Sequence, residues 1–85
     1  MESRYVYKGQ DITLDVVMKI EHVLRIIAEK EQRGFDDCYG EFILSKTYSA
    51  LQNTDSVMWA ESAEFISDEF FREKRYKLAL SYPTR

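Results

Sequence analysis

The sequence predicts a mainly α protein: a small bundle of three to four helices, with a short two-stranded ribbon formed by the termini as the one β element the pattern allows. Three observations predict it. Apolar residues recur at three- and four-residue steps over most of the chain. Helix-start residues stand at the heads of those stretches, and glycine is confined to Gly9, Gly34 and Gly40. Eighty-five residues make one domain spanning 1–85, with no internal repeat, low-complexity segment or linker.

In chain order, Arg4-Tyr5-Val6-Tyr7-Lys8 has strand composition and runs into Gly9, a turn signal. Asp11 or Thr13 then caps a helix reaching about Arg33, with Ile12, Val16, Ile20, Val23, Leu24 and Ile27 on its buried stripe. Gly34 is placed to end that helix in a left-handed conformation. Asp36 or Asp37 opens a second helix, with Phe35 just outside it and Cys38, Tyr39, Phe42 and Ile43 on one face. Gly40 within it suggests close approach of another backbone.

After Ser45 the apolar set moves to Leu44, Tyr48 and Leu51. This implies a kink, or two short helices meeting at Ser45-Lys46-Thr47; one continuous helix is the alternative. A polar break, Gln52 to Ser56, precedes Trp59, and Ser62 caps the last long helix. Glu64, Asp68 and Glu69 in its first half and Arg72, Lys74, Arg75 and Lys77 in its second suit the helix dipole. Phe65, Ile66, Phe70 and Phe71 share its apolar face. From Tyr76 to Tyr82 the pattern alternates with period two. That tail either continues the helix toward Pro83 or pairs with Tyr5–Lys8.

Composition narrows the function classes. A net charge of −3 argues against a general nucleic-acid binder, which needs a basic footprint. One cysteine makes no intrachain disulfide, and neither a secretory h-region nor a membrane span is visible, so a cytoplasmic protein is expected. No cofactor or metal pattern is present. His22 stands alone without a second histidine or nearby cysteine, and Asp36-Asp37 is too short for a calcium loop. Cys38 has no basic neighbour in sequence to activate it and is expected as an inert core thiol. No enzyme is predicted.

What remains is binding. Six tyrosines and five phenylalanines exceed what a small core can hide. Leu14, Met18 and Ile26 extend the apolar surface of the first helix beyond its buried stripe. The candidate partner-binding residues are therefore Met18, His22 and Ile26 on its outer face, with Tyr48 and Trp59 in the centre of the chain. Trp59 is expected mainly as a core plug. The expected partner is another protein or a second copy of the chain. The alternative is a nucleic-acid regulator using Arg72, Lys74, Arg75 and Lys77, which would need a basic surface uninterrupted by carboxylates.

Phe42, Ser45-Lys46-Thr47, Leu51, Ser56, Trp59 and Ser62, followed by an aromatic-rich helix, form a spaced pattern. It resembles small uncharacterised bacterial proteins encoded in toxin–antitoxin-like gene clusters, often near ADP-ribosyltransferase-like proteins. The resemblance covers Phe42 to Glu73, and Ala63 stands where that group often has proline. It implies a small intracellular, antitoxin-like partner protein without established catalytic residues.

Overall fold

The computed structural model describes residues 5–81. Two short strands, β1 (Val6–Tyr7) and β2 (Gln10–Asp11), precede four helices: α1 (Thr13–Glu31), α2 (Phe35–Phe42), α3 (Lys46–Gln52) and α4 (Ala63–Ser81). Two single 3-10 turns, Thr54–Ser56 and Met58–Ala60, link α3 to α4. The mainly α expectation holds, and α4 remains helical through the alternating Tyr76–Leu80 segment. Arg4, Tyr82 and Pro83 lie outside the described residues.

The ribbon differs from expectation in its partner. β1 pairs antiparallel with β2, Val6 opposite Asp11 and Tyr7 opposite Gln10, rather than with the C-terminal segment. Lys8 and Gly9 form the loop with φ of 50° and 81°, both left-handed, as the primed two-residue hairpin turn requires. A hairpin closed over two residues loses far less chain entropy than pairing of distant termini. The C-terminal segment meanwhile gains a hydrogen bond for each residue that extends a helix already nucleated.

The helix ends are set by local hydrogen bonds. Asp11 Oδ1 accepts from the Thr13 N–H at 3.0 Å at the head of α1. At its tail Gln32, not Gly34, takes the left-handed conformation (φ 53°, ψ 47°). The N–H groups of Gln32 and Arg33 both return to the Ala28 carbonyl, a Schellman-type closure that ends the helix at Glu31, three residues before the glycine. Gly34 is extended (φ −65°, ψ 149°), which lets α2 start at Phe35 itself rather than at the aspartates. Asp36 and Asp37 fall in the first turn, where their charge suits the dipole.

Ser45 divides α2 from α3, so the two-helix alternative is the one adopted. Its Oγ accepts from the Tyr48 N–H at 3.0 Å and donates to the Phe42 carbonyl at 2.6 Å. Ser62 Oγ likewise accepts from the Phe65 N–H at 3.0 Å at the start of α4.

The core gathers Val23, Leu24 and Ile27 of α1, Cys38 and Phe42 of α2, Leu51 of α3, and Ala63, Ile66 and Phe70 of α4. Phe42 sits at its centre, edge-on to Tyr48 (5.4 Å between ring centroids) and to Phe70 (5.3 Å). Three positions expected on buried faces turn outward: Tyr39 on α2, Leu44 in the α2–α3 turn and Phe65 on α4. Ser67 is buried in α4 instead, its hydroxyl donating to the Glu64 carbonyl. Thr47 is buried in α3.

Gly40 is also unlike the expectation. It is exposed, and a Cβ added there would meet nothing within 4 Å, so no backbone crosses at this point. Gly40→Ala therefore gains helix propensity at no steric cost. It should raise stability by ~0.5–1 kcal/mol in urea denaturation, and a loss of stability would contradict the open geometry.

Candidate functional site

Two grooves flank α1, and helical spacing decides which side chains enter each. Val17 and Ile20 lie on one flank, one turn apart. They meet Phe35 and Tyr39 of α2, Tyr48 of α3 and Tyr5 of the N-terminal arm around a cleft of about 400 Å³. Thr13, Leu24 and Glu21 complete its walls, and Glu21 is the only charged side chain among them.

The arm is held in place by its own backbone. The Ile12 N–H donates to the Tyr5 carbonyl at 2.9 Å and the Tyr5 N–H to Thr13 Oγ1 at 3.2 Å. The Tyr5 hydroxyl accepts from Gln52 Nε2 at 2.7 Å. Tyr48 is fixed from below by the edge of Phe42, and burial pushes its hydroxyl pKa upward. Val17, Phe35 and Tyr39 are 50%, 43% and 44% exposed and form the open rim.

The second groove, about 600 Å³, lies on the other flank, where Met18 and His22 of α1 face Trp59 and Ala60. Charged side chains join them: Asp15, Lys19, Glu21 and Arg25 line it as well. Trp59 is half-buried. Its Nε1 donates to the Thr54 carbonyl at 3.0 Å, and its ring packs edge-on against Tyr7 at 5.5 Å. Lys19 Nζ donates to the Glu61 carbonyl at 2.6 Å and ties α1 to the segment behind Trp59.

Three of the five candidate residues, Met18, His22 and Trp59, thus converge in one groove, while Tyr48 belongs to the other. Ile26 lines neither; it is half-buried against the core instead of standing on the outer face. Between the grooves α1 presents Leu14, Val17 and Met18, three neighbours on one helical surface, 69%, 50% and 58% exposed. Tyr5, Val17, Phe35 and Tyr39 were not singled out as binding residues from the sequence. The Phe35–Tyr39 spacing, four residues within one helix, was the available sign that both rings share a face.

The basic segment of α4 is interleaved with carboxylates. Arg72 pairs with Glu69 at 2.9 Å, and Lys77 with Glu73 at 3.4 Å. Lys74 bridges Glu31 at 2.7 Å and Glu41 at 3.3 Å, and Arg33 joins the same two carboxylates at 3.0 and 2.8 Å. Arg75 is exposed. Lys74 therefore ties α4 to α1 and α2 rather than extending a continuous basic surface. Burial alone would raise the Glu41 pKa, but its hydrogen bonds from Arg33 and Lys74 carry it below the ordinary value.

Cys38 is fully buried, and that burial pushes its thiol pKa up, which disfavours the reactive thiolate. Among the described residues no cluster of three or more His, Cys, Asp or Glu is placed to hold a metal ion. No helix among them is long and apolar enough to cross a membrane. Comparison with known proteins yields no matching family model, curated protein or solved structure.

Proposed function

We propose that the chain is a small cytoplasmic protein-interaction module that binds a protein partner, or a second copy of itself, through the outer surface of α1 and the aromatic cleft beside it. The observation that carries this reading is the exposed Leu14–Val17–Met18 surface running into a cleft walled by Tyr5, Phe35, Tyr39 and Tyr48. Large apolar side chains exposed together beside a concave aromatic wall are the usual anatomy of a docking surface. The resemblance of Phe42–Glu73 adds a finer reading, an antitoxin-like role in which the partner is encoded beside this protein.

The test combines light scattering on the purified chain with affinity capture from its native host, using wild type and Val17→Arg. Val17 is half exposed, so the substitution should leave the fold intact, with stability changing by no more than ~0.5 kcal/mol. A cation buried in that contact should weaken dimer or partner binding at least about tenfold. A monomer that captures no stoichiometric protein would overturn the proposal, as would a partner retained equally by both chains. The identity of a captured protein decides the antitoxin-like reading.

A further inference from the structure

Given the docking reading above, on which this rests, we infer that the cleft between α1, α2 and α3 receives an arginine side chain of the protein partner, its guanidinium lying against the aromatic walls and its charge facing Glu21. Four rings surround the space, those of Tyr5, Phe35, Tyr39 and Tyr48. Among the described residues they form no ring pair with one another; Tyr48 meets the edge of Phe42 beneath it. Their faces are thus not spent on mutual stacking.

The protein already places its own cations over aromatic rings elsewhere. Lys8 lies 5.5 Å from the Tyr7 ring centre, Lys30 5.7 Å from that of Phe71, and Lys74 5.6 Å from that of Phe70. Among the described residues no cation covers any of the four cleft rings. The cleft therefore has the aromatic walls of a cation site, with no cation on them among the described residues.

Its electrostatics agree. Among the described residues Glu21 is the only charged side chain lining it. Glu21 does pair with Arg25 at 2.7 Å, but both side chains are more than half exposed and Arg25 lines the opposite groove. Such a surface pair is weak enough for a second cation to share the carboxylate. Arginine fits better than lysine because its planar, weakly hydrated guanidinium can stack on an aromatic face while it still donates to a carboxylate.

The probe is N-acetyl-arginine amide, compared with the citrulline analogue, which has nearly the same shape without the charge, and with the leucine analogue. Titrations followed by amide NMR on the full chain should show saturable shifts at Val17, Phe35, Tyr39 and Tyr48. Arginine should bind about three- to tenfold more tightly than citrulline. Glu21→Gln should shrink that advantage, and Tyr39→Leu should weaken arginine more than leucine. Both residues are exposed, so these variants keep the fold.

Equal affinity for arginine and citrulline, tighter binding of leucine, shifts mapping elsewhere, or no shifts at all would each overturn the inference. The docking reading fails by a different result: partner capture or dimerisation that is absent, or that is indifferent to Val17→Arg, whichever analogue the cleft prefers.

Discussion

Phe42→Ala should lower the folding free energy by about 3–5 kcal/mol, the range for removing a buried phenylalanine ring. Phe42 is fully buried between α1, α3 and α4, and its ring carries the edge-on contacts to Tyr48 and Phe70. Neighbouring helices cannot easily collapse into the space, because Ser45 donates to the Phe42 carbonyl and fixes the chain reversal there. In a domain of this size each kcal/mol corresponds to roughly 4–8 °C in Tm, so the variant should melt well below wild type or fail to fold at ambient temperature. Phe42→Leu, which keeps most of the volume, should lose distinctly less. Thermal and urea denaturation of the pair decide the matter; an alanine variant within about 1 kcal/mol of wild type would mean that Phe42 is not the centre of the core.

Glu73→Ala should have the next largest effect, about 1–3 kcal/mol, because it strips the start of α3 of its acceptor. The Glu73 carboxylate on α4 accepts from the Lys46 N–H at 2.8 Å, the Thr47 N–H at 3.0 Å and the Thr47 hydroxyl at 2.8 Å. The α3 helix is thus capped twice, by Ser45 from within and by a side chain from another helix.

Burial pushes the Glu73 pKa up, but the hydrogen bonds from Lys46, Thr47 and Lys77 outweigh it and hold the group below its ordinary 4.5. A carboxyl whose pKa is depressed on folding contributes stability above its unfolded pKa and loses it as pH falls through the folded value. Glu41 adds to the same acid limb. Stability should therefore fall below about pH 4.5, and Glu73→Gln should flatten part of that fall while lowering the plateau above it. Lys74 acts at the other end. Burial would lower its pKa, yet Glu31 and Glu41 raise it above 10.5, so its contribution is present below that pH and lost only above it. Urea melts across pH read both limbs. A Glu73→Gln variant with an unaltered acid limb would show that the α3 cap carries no linkage.

The groove between α1 and Trp59 was legible in part because its ingredients are local, whereas most of the aromatic cleft was not. Met18 and His22 stand four residues apart, so any α1 helix puts them on one surface, and the opposite stripe through Val16, Val23 and Ile27 makes that surface the outer one. Ile26 was misplaced because it sits at the boundary of the two faces, where the packing of a neighbouring helix decides the side. Tyr5 could not be assigned from spacing. Its place in the cleft depends on a hairpin turn at Lys8-Gly9 and on hydrogen bonds to Ile12, Thr13 and Gln52.

The sequence by itself determined the helical class, the stripe of α1 and the serine cap at Ser62, since each follows from contacts between residues three or four apart; the break at Ser45 it left open. The tertiary structure decided what the helices do to one another. It alone brought Glu73 onto the head of α3, 26 residues away from Thr47. It alone ran Lys74 into the carboxylates of α1 and α2, and closed an aromatic cleft from three helices and an arm. The physical reason is one of range. Periodicity and capping are properties of a single turn, whereas a site shared between elements depends on how the helices pack and where each chain reversal points the next one.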